Sequence, residues 1–230
     1  MSGGIITVLC HGFASEKDSR TNLRIEEFLN KHKKPSLRFD FFGHGESRGD
    51  FAEVTISKAV WDIKAAISFL VRKGYAEFGL VGSSFGGLAS ILSAPELTGL
   101  KYLALKSPVS DYMSRLFEGE GNWDVNQWRE QGFHIYRDHE GRERRLNYSF
   151  YEDASIDCGY DASLFIQVPT LIIHGEEDEI VPVAQSLKLS KMIPDCRLEI
   201  IPGADHGYSI PSHFEIMIDR ISRFVINYLV

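Results

Sequence analysis

Short apolar runs alternate along this chain with longer stretches of helical period, and few folds accept that order. The runs are residues 5–10, 37–42, 78–81, 102–105, 170–174 and 198–201. Most are close to continuously apolar, as expected for a parallel strand buried on both faces, with Arg38, Asp40 and Glu199 as the charged interruptions. Between them Val60, Ile63, Ile67, Leu70 and Val71 recur at helical spacing. Near the C-terminus Phe214, Met217, Ile218, Ile221, Val225 and Tyr228 do the same, with Pro211 placed for a first helical turn. Strand–helix alternation predicts an α/β domain, its helices covering both faces of a mostly parallel sheet of about six strands.

One stretch breaks the rhythm. Roughly sixty residues, 107–169, separate two strands, far beyond the few residues of an ordinary connection. A polar, aromatic-dotted segment (118–128) is followed by a predicted hairpin, 133–136 and 144–151, turning at Asp138-His139-Glu140-Gly141. We read 107–169 as a cap inserted into a single domain spanning 1–230. It holds twelve acidic and six basic residues, so nearly all of the chain's formal charge of -7 resides there. An acidic balance disfavours nucleic acid as a partner. Cys10, Cys158 and Cys196 are odd in number and widely spaced, which points to reduced thiols in the cytoplasm and not to a disulfide framework or zinc site. Met1-Ser2-Gly3-Gly4 shows no basic leader, and no apolar run approaches the ~18 residues of a membrane span.

The segment Gly82-Ser83-Ser84-Phe85-Gly86 reads G-x-S-x-G, after the 78–81 strand and before a helix-compatible run at 88–93. Such a tight strand-to-helix turn lifts Ser84 clear of the sheet, and small neighbours are needed because the turn is crowded. A serine hydroxyl is a poor nucleophile until a base takes its proton. Of eight histidines, His206 is placed for this: it follows the last strand in Pro202-Gly203-Ala204-Asp205-His206-Gly207, at the carboxyl end of the sheet where sites of open α/β sheets collect. The acid that orients it should follow the preceding strand, where Glu176-Glu177-Asp178-Glu179 offers four carboxylates. Asp178 is the choice, because apolar Ile180-Val181-Pro182 re-enters the core just after it; Glu177 is the reserve. The oxyanion needs two amides, assigned to Phe85 after the nucleophile and to Phe13 in His11-Gly12-Phe13. The loop from Asp40 to Ser47, His44 included, reads as architecture.

His11-Gly12-Phe13, Gly43-His44-Gly45-x-Ser47, Gly82-x-Ser84-x-Gly86, His174-Gly175-x-x-Asp178 and Asp205-His206 fall in the order of the α/β-hydrolase family. The subgroup resembles serine hydrolases of the monoacylglycerol-lipase and cinnamoyl (feruloyl) esterase kind. The insertion resembles the cap of cinnamoyl esterases. One departure stands out: family members usually begin with an antiparallel hairpin, whereas residues 5–10 are already the strand leading into His11-Gly12. The strand at 37–42 should then be a bare apolar sheet edge, and such edges invite pairing, so a homodimer is expected.

These readings predict hydrolysis of small-molecule carboxylic esters through an acyl-enzyme, with Ser84, His206 and Asp178 as triad. No cofactor or metal is implied, since no histidine/carboxylate cluster has ligand spacing. Trp123, Trp128, Tyr136 and Tyr148, with Phe133, could wall a substrate pocket or form the cap's own core. Two alternatives stand beside the esterase: a serine (amino)peptidase of the same fold, and a non-catalytic binding protein on this scaffold.

Overall fold

The computed structural model describes residues 4–114, 123–138, 141–156 and 158–229. In chain order the elements begin β1 (Ile6–Cys10), α1 (Arg20–Lys31), β2 (Ser36–Arg38), α2 (Ile56–Arg72), β3 (Phe78–Ser83), α3 (Phe85–Ser93) and β4 (Leu100–Lys106). An inserted stretch follows, with α4 (Val125–Gln131), β5 (Phe133–Arg137), β6 (Glu143–Asn147), α5 (Ser149–Ala154) and α6 (Gly159–Ser163). The chain closes with β7 (Thr170–Gly175), α7 (Val183–Met192), β8 (Cys196–Ile201) and α8 (Pro211–Tyr228). Six strands form one sheet in the order β2-β1-β3-β4-β7-β8, and every pairing is parallel.

Both faces of this sheet are apolar, which is why its strands read as continuous runs. Val8, Leu80, Leu103, Leu105 and Ile172 point to one face and pack with Ile63 of α2 and Leu88 of α3. Their neighbours Leu9, Val81, Ala104, Leu171 and Ile173 point to the other and meet Ile25 and Leu29 of α1 and Met217 and Ile221 of α8. Helix α2 starts where the Thr55 side chain accepts the Lys58 amide at 3.2 Å. Its buried stripe is Ile56, Ala59, Ile63, Ile67 and Leu70. Val71, expected on that stripe, is 55% exposed. It sits in the last turn, about 100° around the helix from Leu70. Truncating a fully buried residue such as Ile63 to alanine would cost about 2–5 kcal/mol.

Two strand expectations are corrected at their ends. The run at 37–42 pairs only as β2, because the amides beyond Arg38 turn to side chains. Phe41 N–H donates to His11 Nε2 at 3.0 Å, and Phe42 N–H donates to Asp62 Oδ2 at 2.7 Å. Leu37, Phe39 and Phe42 pack against the core, and Arg38 pairs with Asp18 and Glu26. The sheet edge is thus three residues long, Ser36–Arg38, half-buried throughout, and the apolar edge expected over 37–42 is not formed. The second arm of the hairpin ends at Asn147, since Tyr148 N–H donates to Gly132 O at 2.9 Å and the chain enters α5. The hairpin is held by Asp138, whose carboxylate accepts the Arg142 amide and both Arg142 Nε and Arg144 Nε, at 2.9–3.0 Å. His139 and Glu140 of the turn, residues 118–122 and the start of the N-terminal stretch lie outside the described residues. Among the described residues no helix is long and apolar enough to cross a membrane.

Candidate active site

The sheet delivers its loops to one end, and Ser84 stands there between β3 and α3. Its backbone is left-handed, φ 51° and ψ -112°, a strained state for a residue with a Cβ. The surroundings hold it: Ser84 N–H donates to Lys106 O at 2.9 Å, and Val109 N–H donates to Ser84 O at 3.2 Å. Glycine at 86 is required by the strand alongside, because a Cβ there would lie 2.3 Å from His11 O.

The loop after β8 brings His206 to the serine, 122 residues away in sequence. Nε2 lies 3.2 Å from Ser84 Oγ, and Nδ1 donates to Asp178 Oδ2 at 2.7 Å. Asp178 is fixed from its other side as well, Oδ1 accepting the amides of Ile180 (3.0 Å) and Val181 (2.7 Å). Burial alone would raise this carboxyl, yet hydrogen bonds from His174 and His206 hold it well below the usual carboxylate range. An ionised Asp178 accepts only, so His206 carries its proton on Nδ1 and leaves Nε2 free to take the serine's. Burial first, then the Lys106 charge, lowers the imidazole's affinity for a second proton, against the pull of Asp178. The other acids of the run behave differently. Glu179 accepts the His206 amide at 3.2 Å and Glu176 the Gly203 amide at 3.1 Å, while Glu177 is exposed.

Phe13 and Phe85 meet at this end, their ring centroids 5.6 Å apart. The Phe85 amide heads α3, where first-turn N–H groups have no partner within the helix. A Cβ on Gly12 would lie 3.6 Å from Ser84 Cβ, so the Gly12–Phe13 backbone passes beside the hydroxyl. That loop is tied by His44, whose Nε2 accepts the Ala14 amide at 3.1 Å while Nδ1 donates to Phe42 O at 2.9 Å. His11 donates from Nδ1 to Gly12 O at 2.8 Å. Burial brings both rings down to about 4, so each is neutral at pH 7.

Of the aromatics in the insertion, Tyr136 and Phe150 reach the site, their rings 5.1 and 5.4 Å from Phe13. Trp128 does not: it is 1% exposed, its Nε1 donates to Leu146 O at 3.0 Å, and it packs against Trp123, Tyr148 and Phe150. Trp123 stacks on His134 and Tyr148 on Tyr151. Those three belong to the insertion's own packing. His44 fits the architectural reading of its loop, since it ties the turn carrying Phe13. His174 stands in a motif that does not reveal its contact with Asp178, and Lys106 shows in the sequence only as a charge ending an apolar strand. Among the described residues no group of three His, Cys, Asp or Glu side chains could hold a metal ion.

A parallel sheet with a left-handed serine at the tip of a central strand, an imidazole on its hydroxyl and a helix amide behind it defines a serine hydrolase of the α/β-hydrolase fold. Residues 54–230 match the prolyl oligopeptidase family, and the chain belongs to that family. It is similar to the mitochondrial palmitoyl-protein thioesterase ABHD10 of Rattus norvegicus, 25% identical over 93% of this chain and 73% of that protein. Est1E from Butyrivibrio proteoclasticus, solved with ferulic acid bound, superposes with a TM-score of 0.84 at 28% identity, over 97% of this chain and 89% of that one. A monoacylglycerol lipase from Paleococcus ferrophilus shares the fold, with a TM-score of 0.79 at 20% identity over 99% and 97% of the two chains. The resemblance to serine hydrolases of the α/β-hydrolase fold therefore holds.

Proposed function

We propose that this chain hydrolyses carboxylic esters by way of an acyl-enzyme. Ser84 Oγ attacks the ester carbonyl as its proton passes to His206 Nε2, and Asp178 stabilises the imidazolium. The amides of Phe13 and Phe85 take the oxyanion. The imidazolium then protonates the departing alkoxide, and a water activated by the same His206 releases the acid and frees Ser84. The observation that carries this reading is the relay Ser84–His206–Asp178, at 3.2 and 2.7 Å, built on a left-handed serine.

Residues 107–169 act as a cap, with Tyr136 walling the acyl or aryl side beside Phe13. The reading of Trp123, Trp128 and Tyr148 as substrate contacts draws less support, since their faces are engaged with one another. The natural ester is a small molecule. Cytoplasmic residence rests on the odd, widely spaced cysteines. A homodimer paired through β2 has Ser36–Arg38 to draw on, and sedimentation as a dimer at micromolar concentration is what it requires.

Membership of the prolyl oligopeptidase family favours one second reading, a peptidase using the same relay. Turnover of p-nitrophenyl esters against aminoacyl-anilides separates the two. Ester turnover with little anilide cleavage supports the proposal; the reverse order favours the peptidase. A binding protein without chemistry would turn over neither.

A further inference from the structure

Lys106 ends β4 in a place where lysine is rare. It is 6% exposed, and it follows Tyr102 and Ala104 onto the sheet face covered by α1 and α8. Its Nζ donates to the backbone carbonyl of His206 at 2.6 Å and lies 5.1 Å from the centre of the Tyr208 ring. Burying an ammonium costs several kcal/mol unless charges and acceptors compensate it. Burial draws this one down to about 8, while Asp178 and Glu179 from the loop after β7 and Asp205 from the loop after β8 favour its charge; Arg20 of α1 opposes it.

A second cation works on the same loop. Arg20 donates to the carbonyl of Tyr208 at 3.0 Å, and Tyr208 itself is left-handed, φ 53°. The carbonyls on either side of Gly207 are thus each held by a cation from a different element. Lys106 differs from Arg20 in that its charge also bears on the imidazole.

We propose that Lys106 is a positioning residue for the reaction assigned to Ser84 and His206: it pins the loop carrying the imidazole and opposes its protonation before substrate arrives. The inference rests on the reading of His206 as general base. A neutral imidazole is the form that accepts the serine proton, so a fixed cation nearby keeps the site competent at lower pH. The same ammonium, through the His206 carbonyl, holds Nε2 over Ser84 Oγ.

The test is the pH profile of kcat/KM for a p-nitrophenyl ester in wild type, Lys106→Met and Lys106→Gln. Lys106→Met loses both charge and donor. Its acid limb should move up by about one pH unit, and kcat should fall about tenfold through a looser loop. Lys106→Gln keeps an N–H donor without the charge, so kcat should recover while the limb stays displaced. A purely structural lysine would change rates without moving the limb. If Lys106→Met does not fold, Lys106→Gln carries the test alone. A folded Lys106→Gln with the wild-type limb overturns the proposal. A wild type that takes no fluorophosphonate on Ser84 overturns the reading of the site beneath it, a separate failure.

Discussion

His174 Nε2 lies 3.1 Å from the same Asp178 oxygen that His206 Nδ1 reaches at 2.7 Å. That nitrogen also lies 2.8 Å from Val181 O, a pure acceptor, so His174 carries its proton there. Its other nitrogen, 2.7 Å from Ser186 Oγ, accepts the hydroxyl. A second, fully buried imidazole thus locks the carboxylate that orients the first.

Removing the acid and removing its support should differ in size. Asp178→Asn should lower kcat by about ten-thousandfold with KM little changed, through loss of the correct His206 tautomer. His174→Phe keeps the carboxylate and its bonds from the Ile180 and Val181 amides but removes one donor to Oδ2, and a fall of about tenfold is expected. Glu177→Gln, at an exposed position, should be close to silent. Steady-state kinetics on one p-nitrophenyl ester compares all three, and a large loss in Glu177→Gln would move the acid role to that residue.

His44 should matter through the amide it holds. His44→Phe keeps an aromatic ring against Phe51 and Phe85 but leaves Ala14 N–H without its acceptor. The Phe13 amide would then drift from the developing oxyanion. We expect kcat to fall by about one to two orders of magnitude with KM nearly constant. Equal kcat in the two proteins would remove His44 from the support of that loop.

The same buried rings make stability depend on pH. His11 and His44 take protons at about 4 in the folded chain, against about 6.5 when unfolded. Between those values the unfolded chain binds more protons, so stability rises with pH across that window. Their contribution is fully present above pH 6.5 and is lost as pH falls toward 4, up to about 3 kcal/mol for each ring. Urea midpoints should therefore drop between pH 7 and pH 4.5, and less so in a folded His44→Phe variant. A wild-type midpoint that stays level across this range would contradict the assignment.

What the sequence revealed follows from which interactions are local. Strands such as β7 were legible because both faces are apolar, and Ser84 because a turn motif is written in consecutive residues. The end of β2 was not, since Phe41 and Phe42 give their amides to His11 and Asp62, partners 30 and 20 residues away. Val71 misled because helical period cannot tell where the facing element stops. Trp128 and Tyr136 looked alike as cap aromatics. Only packing separates the buried indole from the ring beside Phe13. His174 belongs to a motif legible in the sequence, yet its contact with Asp178 depends on the backbone folding back at Val181.

The most direct measurement is covalent labelling by a fluorophosphonate, read by mass spectrometry of the digested protein. The Ser84 oxygen should form a bond to phosphorus as fluoride leaves, while His206 takes the proton. A single adduct is expected on Ser84, absent in Ser84→Ala, retained in Ser83→Ala and slowed in Asp178→Asn. Ester turnover should fall at least about a thousandfold in Ser84→Ala alone of the two serine variants. An unlabelled wild type, or an adduct that persists in Ser84→Ala, would contradict the role of Ser84 as nucleophile.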